Sequence, residues 1–270
     1  MSSNQLSDIF DNALRALRLD RAFRHGPELF LHERAFEDCL ERLAVIRRPF
    51  ESALLIGCPD PEWRRRLEPL VQSIEIVDPG LLFAKAAGGT FIVEDQWHPP
   101  KKAFDLCLSI GTLDTVNDLP RALQTIRGSL TEDSLLIGAL AGGNNLPQLR
   151  RAMHFADQIA GASSPHVHPR IEAASLAPLL TAWGFVMPVV DVDRVPVSYL
   201  SLDRLVADLR RMGATNILTS RSRAPVLREA WAAAQAAFQS AGDGTRTVET
   251  FEILHFAAWT PATSSRDTQG

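Results

Sequence analysis

Ala53-Leu54-Leu55-Ile56-Gly57-Cys58-Pro59-Asp60-Pro61 decides the fold, because an apolar strand runs here directly into a tight turn. In nucleotide-binding α/β domains, glycines after the first strand let the backbone approach a ligand and let the next helix start close to the sheet. Only Gly57 remains in this role, while Cys58, Pro59 and Asp60 stand where further small residues are expected. The stretch therefore predicts a cofactor-binding type of domain whose ligand loop is altered.

Strand-like and helical patterns alternate after this stretch. The predicted strands are 53–57, 74–77, 91–93, 104–109, 135–140, 185–192 and 251–259, and the predicted helices between them are 62–71, 80–87, 118–130, 145–160 and 172–183. Asp118 before Leu119-Pro120 is typical of a helix start, and Gly184 is typical of a helix end. Alternation of this kind predicts an α/β fold with a mostly parallel sheet covered on both faces.

Three segments lie outside this alternation. Residues 1–50 have helical spacing and are predicted to form an N-terminal helical segment. Residues 194–250 are predicted to be a helical cap inserted before the last strand, with one helix opening at Ser201 and a second over 225–240. Residues 261–270 are predicted to be a flexible tail. The Rossmann-like core is accordingly assigned to 51–193 and 251–260.

The composition narrows the class of protein. The chain has 270 residues, 46% hydrophobic and 22% charged, which suits one main globular domain with additions. Its 28 basic and 32 acidic residues give a net charge of −4, which argues against a general electrostatic surface for nucleic acid. The basic runs 64–66 and 221–223 are interpreted as solvated faces.

Cysteine usage and hydropathy bear on the compartment. Cys39, Cys58 and Cys107 are too widely spaced for a CxxC motif, and an odd number of cysteines makes a poor disulfide framework. No apolar run approaches the roughly 18 residues that cross a bilayer, and residues 1–8 lack a secretory apolar core. We therefore expect a cytoplasmic protein without an integral membrane segment; contact with a membrane through a partner stays open.

Several chemically active residues follow the predicted strands. In an open parallel sheet, ligands bind outside the carboxyl ends of the strands, where the strand order reverses. This rule predicts that one edge of the sheet carries Gly57, Cys58, Asp78, Glu94, Asp95 and Ser109.

Asp78 is the most specific of these candidates. An acid at the end of the second strand can accept hydrogen bonds from both hydroxyls of a ribose; the alternative is a helix N-cap, because Pro79-Gly80 and an apolar helical pattern follow it. Glu94 or Asp95 could meet the edge of an adenine, or could be exposed loop acids.

Cysteine and histidine residues offer weaker signals. Cys58 is either a reactive thiol at a helix N-terminus or a small buried filler. His166 and His168 have an i, i+2 spacing that suits a metal, but no cysteine or carboxylate cluster completes the pattern. The sequence has no GxSxG elbow, P-loop or HExxH helix. We therefore predict no metal site and no hydrolase.

A family resemblance is carried by residues 113–123 (LDTVNDLPRAL), 124–127 (QTIR) and 136–143 (LIGALAGG). These segments resemble class I S-adenosylmethionine-dependent methyltransferases. More narrowly, they resemble the family that contains mitochondrial complex I assembly factor five and its bacterial relatives, which is similar to the biotin-pathway malonyl-carrier methyltransferase. Further matching segments, which extend the resemblance over nearly the whole chain, are 9–11, 18–22, 188–193 and 208–216.

The resemblance implies a seven-stranded sheet with an antiparallel last strand and S-adenosylmethionine as the cofactor. It places the methionine end near Gly57, the ribose near Asp78 and the adenine near Glu94 or Asp95, with two further residues lining the floor. The residues implied in cofactor binding are Gly57, Cys58, Asp78, Glu94, Asp95, Ser109 and Ile110. The catalytic residues are not identified.

The chain also departs from the family pattern. Pro59 removes an amide donor from the first loop, Asp60 would repel the methionine carboxylate unless it points to solvent, and Asp114-Thr115 replaces a His-Trp pair of the family. Three hypotheses follow. The chain is a methyltransferase acting on a small molecule or a protein, a non-catalytic scaffold that binds a partner such as a respiratory-complex subunit, or, by family analogy, a protein arginine hydroxylase.

Overall fold

The computed structural model describes residues 8–161 and 163–262. The predicted tail falls mostly outside these residues, as do residues 1–7. The chain divides into two compact units. Their described parts are 8–28, 144–161, 163–169 and 194–251 for the first unit, and 29–143, 170–193 and 252–262 for the second. The domain boundaries proposed from the sequence stay a prediction.

Helices and strands alternate over most of the described chain. The helices are α1 (Asn12–Arg24), α2 (Phe30–Val45), α3 (Glu62–Leu67), α4 (Leu81–Ala86), α5 (Leu119–Ser129), α6 (Pro147–Ala160), α7 (Ala173–Ala182), α8 (Leu202–Arg211) and α9 (Arg228–Ser240). The strands are β1 (Phe50–Ile56), β2 (Val71–Asp78), β3 (Thr90–Phe91), β4 (Phe104–Ile110), β5 (Leu130–Ala141), β6 (Val186–Tyr199) and β7 (Thr247–Trp259).

The strands form one seven-stranded sheet in the order β3-β2-β1-β4-β5-β7-β6. Strand β1 pairs in parallel with β2 and β4, and β4 pairs in parallel with β5. Strand β7 runs antiparallel to β5. This topology confirms the predicted Rossmann-like α/β fold, including the antiparallel last strand and the helices α8 and α9 inserted before it.

Continuous burial explains why the central strands take this position. Residues 53–56 of β1 are all buried, as are 106–110 of β4 and 134–140 of β5. A strand buried on both faces needs apolar side chains in succession, and helices on both sides of a parallel sheet supply that cover. Helix α2, for example, packs against β4 and β5.

Helix ends are fixed by local signals that the sequence shows. Asp118 caps α5, because its Oδ1 accepts a hydrogen bond from Arg121 N at 2.9 Å. Gly184 follows α7 with a φ of +83°, a conformation in which a residue with a Cβ is strained. Ser201 caps α8, because its Oγ accepts from Arg204 N at 3.4 Å.

Some strand bounds differ from the sequence-based prediction. Strand β3 is Thr90–Phe91 rather than 91–93, because its backbone leaves the sheet for a turn in which Gln96 N donates to Val93 O. Strand β6 extends to Tyr199 instead of ending at 192, and it keeps an alternating exposure pattern over this length. Strand β7 begins at Thr247, four residues earlier than predicted.

The first unit contains its own packed helices. Helix α6 packs against α9, and α8 contacts both α1 and α9. Leu205 and Leu209 of α8 are buried, as the spacing of an amphipathic helix requires. Phe10 forms a short antiparallel bridge with Leu218, and this pair is buried with Ile217.

Candidate functional site

The carboxyl ends of β1, β2 and β4 lie side by side. Ile56 is paired with Val77 on one side and with Ser109 on the other. Gly57, which follows β1, donates its N–H to Val77 O at 2.8 Å. The residues after these strands form one edge together with 94–95, because β3 pairs with β2 and Asp95 accepts a hydrogen bond from Asp118 N. We call this edge the carboxyl rim: 57–61, 78–80, 94–95 and 109–118. This is the edge at which open α/β sheets bind ligands.

Gly57 is required by the close approach of β4 to the first loop. Its φ is +83°, and a Cβ placed there would lie 2.5 Å from Ile110 O and 2.6 Å from a methyl carbon of Thr112. Any side chain would therefore collide with backbone as well as adopt a strained conformation. The glycine keeps the first loop against the end of β4.

Asp78 ties two segments of the rim together. Its Oδ2 accepts a hydrogen bond from Cys58 N at 2.7 Å, and its Oδ1 accepts one from Gly80 N at 2.6 Å. The residue is buried. The carboxylate thus organises the first loop and the start of α4 at the same time.

Cys58 is a buried thiol. Burial, reinforced by the nearby charges of Asp78 and Asp60, raises its pKa to about 12, and its Sγ donates to Asp60 O at 3.2 Å. The thiol is protonated at neutral pH, which favours the filler interpretation over the reactive thiolate.

The carboxylate of Asp60 has a local role. Its Oδ1 accepts a hydrogen bond from Glu62 N at 2.9 Å, the first residue of α3. Trp63 N also donates to Asp60 O at 3.1 Å. Asp60 therefore satisfies backbone donors at the start of a helix, which a proline-rich turn would otherwise leave unpaired.

The two predicted adenine residues are both buried. Asp95 Oδ2 accepts a hydrogen bond from Asp118 N at 3.0 Å, whereas its Oδ1 is buried with no hydrogen-bond partner among the described residues. Glu94 is 3% exposed and Asp95 is 5% exposed, so neither is the exposed loop acid that the sequence left open.

Ser109 and Ile110 end β4 beneath the first loop. Ser109 Oγ lies 3.4 Å from Thr112 Oγ1, and both side chains are buried. Ile110 contributes its carbonyl oxygen to the contact with Gly57 and is itself buried. The structure thus brings Gly57, Ser109 and Ile110 together, while their predicted role in binding stays a prediction.

Two features of the rim were missed as functional candidates. Asp114, in the turn after β4, forms a buried ion pair with Arg170, which also donates Nη1–H to Asp114 O at 3.1 Å. His32 of α2 lies against Gly111, where a built Cβ would be 2.8 Å from His32 Nε2. No sequence signal brings His32 to this place, because the contact depends on how α2 packs on the sheet.

Buried polar atoms without partners concentrate around residues 111–118, the connection between β4 and α5. Within the described part of the second unit they include His32 Nδ1 beside Gly111, Asp114 Oδ1 inside the connection, and Asp95 Oδ1 on the carboxylate that holds Asp118 N. Buried polar atoms are normally hydrogen-bonded, and exceptions are typical of functional sites. The connection therefore presents buried polar atoms with which a ligand could form hydrogen bonds.

The two histidines considered as metal ligands have protein partners. His166 Nε2 lies 2.8 Å from Asp157 Oδ1. His168 Nε2 accepts a hydrogen bond from Ile217 N at 2.9 Å, and burial lowers the His168 pKa to about 4, aided by the charges of Arg18 and Arg15. Over residues 8–161 and 163–262, no group of three His, Cys, Asp or Glu side chains could hold a metal ion.

Of the helices that the structure describes, none is both long and apolar enough to cross a bilayer.

Comparisons with curated proteins find relatives over most of the chain. It is 30% identical over 281 residues to the mitochondrial arginine-hydroxylase NDUFAF5 of Rattus norvegicus, covering 96% of this chain and 79% of that protein. It is also 30% identical over 185 residues to the malonyl-[acyl-carrier protein] O-methyltransferase of Laribacter hongkongensis, covering 68% of this chain and 61% of that enzyme. A search of protein-family models finds no match.

Solved structures show the same fold. A putative methyltransferase of Bacillus halodurans aligns with a TM-score of 0.56 at 11% identity, covering 83% of this chain and 98% of that one. Phosphoethanolamine N-methyltransferase 2 of Haemonchus contortus, solved with S-adenosyl-L-methionine, aligns with a TM-score of 0.52 at 12% identity, covering 84% and 52%. The chain has the class I methyltransferase fold, and the second of these structures holds S-adenosyl-L-methionine.

The residues at the rim fit this cofactor. Asp95 Oδ1 is a buried acceptor without a partner in the described part of the chain, which suits an adenine amino group. Asp78 is a buried carboxylate, and a carboxylate is the type of group that accepts hydrogen bonds from ribose hydroxyls. The first loop fits less well, because two of its positions are proline and provide no amide donor. The nucleoside half of the site is therefore better equipped than the methionine half.

Proposed function

Because the chain belongs to the family of the arginine-hydroxylase NDUFAF5, we propose that it binds S-adenosylmethionine at the carboxyl rim and transfers the methyl group to a small molecule or a protein. The observation that carries this proposal is the group of buried polar atoms around residues 111–118 that have no hydrogen-bond partner among the described residues. A fold that served only as a scaffold would gain stability by pairing these atoms or by replacing them with apolar groups.

The rim residues divide the work of binding. Asp78 would hold the ribose hydroxyls, Asp95 would accept from the adenine amino group, and residues 57–61 would border the methionine end. When bound, S-adenosylmethionine supplies a sulfonium methyl group that an oxygen, nitrogen or carbon nucleophile attacks in line. The protein contributes positioning and exclusion of water, which are the main sources of rate enhancement for such a transfer.

Calorimetric titration with S-adenosylmethionine tests the proposal. We expect saturable binding, and a higher melting temperature at a hundredfold excess over Kd, where mass action adds about 2.7 kcal/mol. Asp95→Ala should weaken binding at least tenfold, because it removes the adenine acceptor. As a control, Asp133→Ala changes an exposed acid of β5 and should leave the affinity unchanged. Absence of binding at millimolar ligand overturns the proposal in favour of the scaffold hypothesis.

Hydroxylation of a protein arginine is a second candidate, favoured by the name of the relative that the chain matches over 79% of its length. The test is mass spectrometry of a candidate substrate protein with and without this chain. A gain of one oxygen atom on an arginine supports hydroxylation, whereas a gain of one methyl group supports the first proposal.

Partner and location are proposed on the same basis. A respiratory-complex subunit is the partner implied by the family resemblance, and affinity purification of the full chain with identification of the bound protein tests it. A cytoplasmic location is proposed from the sequence, while the relative from Rattus norvegicus is named as mitochondrial. Fractionation of cells that express the full chain distinguishes the two locations.

A further inference from the structure

His32 is a polar side chain at the rim that the proposed binding roles do not use. Its Nε2 and Cδ2 lie closest to Gly111, where a built Cβ would be 2.8 and 2.9 Å away. Gly111 has a φ of +65° and follows directly after Ile110, whose carbonyl oxygen touches the first loop at Gly57. The imidazole therefore stands beside the same end of β4 that the first loop contacts.

The His32 ring is uncharged under physiological conditions. Burial lowers the pKa of His32 to about 4, well below the ordinary value of 6.5. Nδ1 is buried and, within the described residues, has no hydrogen-bond partner. A neutral imidazole carries one nitrogen with a free lone pair and one N–H donor. An unpaired buried ring nitrogen costs stability, so a structural role alone does not explain this side chain.

The charge at the methionine end of the expected ligand changes when the methyl group is transferred. The methionine end of S-adenosylmethionine carries a positive sulfonium before transfer, whereas the demethylated product carries a neutral thioether. This end borders Gly57 and the end of β4 in the proposed binding mode. A protonated histidine would repel the sulfonium, but a neutral imidazole offers it an electron pair.

We propose that His32 contacts the positively charged centre of the bound methyl donor and makes the site prefer the charged donor to the neutral product. The inference rests on the proposed function. In this role His32 is a specificity-determining residue. A lone pair of the ring attracts the positive centre of the donor, and this attraction is lost when the product carries no charge there. The attraction between a lone pair and a positive charge is electrostatic and is strong where water is excluded, so the contact discriminates between the charged and the neutral form.

Two nucleosides of different charge test the inference without any measurement of activity. Sinefungin carries an ammonium group where the sulfonium methyl would be, and S-adenosylhomocysteine carries a neutral sulfur. Calorimetry should give the wild-type chain an affinity for sinefungin about tenfold higher than for S-adenosylhomocysteine, as expected for one charge-assisted contact. His32→Leu should reduce this ratio to about one, while the affinity for S-adenosylhomocysteine changes little. His32→Gln, which restores a polar acceptor, should recover part of the preference.

Controls separate a lost contact from a damaged fold. His154→Leu changes an exposed histidine of α6 and should leave the ratio at its wild-type value. All variants are compared by melting temperature, and the ratio is interpreted only from chains that retain binding of S-adenosylhomocysteine. If the leucine variant loses this binding, His32→Phe, which keeps a ring but no ring nitrogen, replaces it. An unchanged ratio in His32→Leu, or in His32→Phe when it alone binds, overturns the role of His32 while leaving the proposed function intact. Failure of the wild-type chain to bind either nucleoside overturns both.

Discussion

Glu249 of β7 caps the N-terminus of α6, because its Oε2 accepts a hydrogen bond from Leu149 N at 2.8 Å. Its Oε1 accepts from Gln148 N at 3.2 Å and from Thr250 N at 2.9 Å. Helix α6 has no side-chain cap of its own, and the residue before it, Leu146, is in the left-handed conformation. A carboxylate one hundred residues further along the chain therefore satisfies the donors that the helix start leaves open.

Replacing Glu249 should separate the hydrogen bonds from the charge. Glu249→Ala leaves three backbone N–H groups without their acceptor and should lower the free energy of unfolding by about 2–3 kcal/mol. Glu249→Gln keeps one acceptor oxygen and removes a buried carboxyl group, whose pKa is raised by burial. This variant should therefore lose less free energy of unfolding than the alanine variant. Urea denaturation measures both values. Equal losses for the two variants would contradict the capping role.

The raised pKa of Glu249 also predicts a pH dependence. A carboxyl group that binds its proton more tightly in the folded state favours folding at low pH, and this contribution is lost as pH rises through the folded pKa. The free energy of unfolding of the wild type, relative to that of Glu249→Gln, should therefore decrease from pH 4 to pH 7. Denaturation curves at the two pH values measure the shift; a difference that moves the other way would contradict the predicted sign.

Gly57 should tolerate no side chain. Gly57→Ala places a Cβ 2.5 Å from a backbone oxygen at a φ of +83°, and we expect a loss of more than about 2 kcal/mol, from strain together with displacement of the end of β4. Gly128→Ala in α5 is the matched control, because a Cβ there meets nothing within 4 Å. It should be neutral or stabilising by up to about 1 kcal/mol. Thermal melting of both variants decides, and similar melting temperatures would refute the packing argument.

The parts of this fold that can be predicted from the sequence are those that depend on local residue patterns. Features that depend only on neighbours in the chain can be predicted from the local sequence. They include the strand over 53–57, the helix cap at Asp118 and the helix end at Gly184. The position of Asp78 at the end of a strand is also local. The direction of its two oxygens, toward Cys58 N and Gly80 N, depends on a loop conformation that composition does not specify.

Contacts between distant segments account for the parts that could not be predicted. His32 reaches Gly111 only because α2 packs on the sheet, and the pairing of Asp114 with Arg170 joins residues 56 positions apart. Strand β6 is longer than predicted because its alternating exposure continues past Val192 to Tyr199. The apolar pattern of the sequence predicts an end at Val192. Sequence patterns report which face a residue occupies, whereas tertiary packing decides its partner.

Asp193 gives the protein an acid-sensitive ion pair. Arg34 Nε donates to Asp193 Oδ2 at 2.5 Å, and this hydrogen bond holds the Asp193 pKa below its ordinary value of 3.8. A carboxylate with a lowered pKa contributes stability above its unfolded pKa and loses it as pH falls through the folded value. Because Arg34 is exposed, the contribution is at most about 1 kcal/mol.

Asp193→Asn should therefore be less stable than the wild type at pH 7, and the difference should shrink as the pH falls below 3.8 and through the lowered pKa of Asp193. Urea denaturation across this range measures the convergence. Glu62→Gln, which breaks the more exposed pair with Arg65, serves as the control and should show a smaller difference at every pH. If the difference in free energy of unfolding between Asp193→Asn and the wild type does not change with pH, the ion pair does not stabilise the fold.

Asp78 and Asp105 form a matched pair for separating binding from folding. Asp105 accepts hydrogen bonds from Glu51 N at 2.8 Å and Ser52 N at 3.0 Å, at the end of β1 opposite the rim. Asp78 makes the same type of contact at the rim. An asparagine at either position keeps one acceptor oxygen and presents an amide donor to the second backbone N–H. Both variants should lose about 1–2 kcal/mol of stability.

Only one of the two should change ligand binding. Asp78→Asn removes an acceptor that the ribose hydroxyls would use, so its affinity for S-adenosylmethionine should fall at least tenfold, whereas Asp105→Asn should bind as the wild type does. Calorimetry at a temperature where both variants are folded makes the comparison independent of their stability. Equal affinities would mean that the two oxygens of Asp78 serve groups of the protein, among them the amides of Cys58 and Gly80, and that the ribose, if bound, is held by other residues.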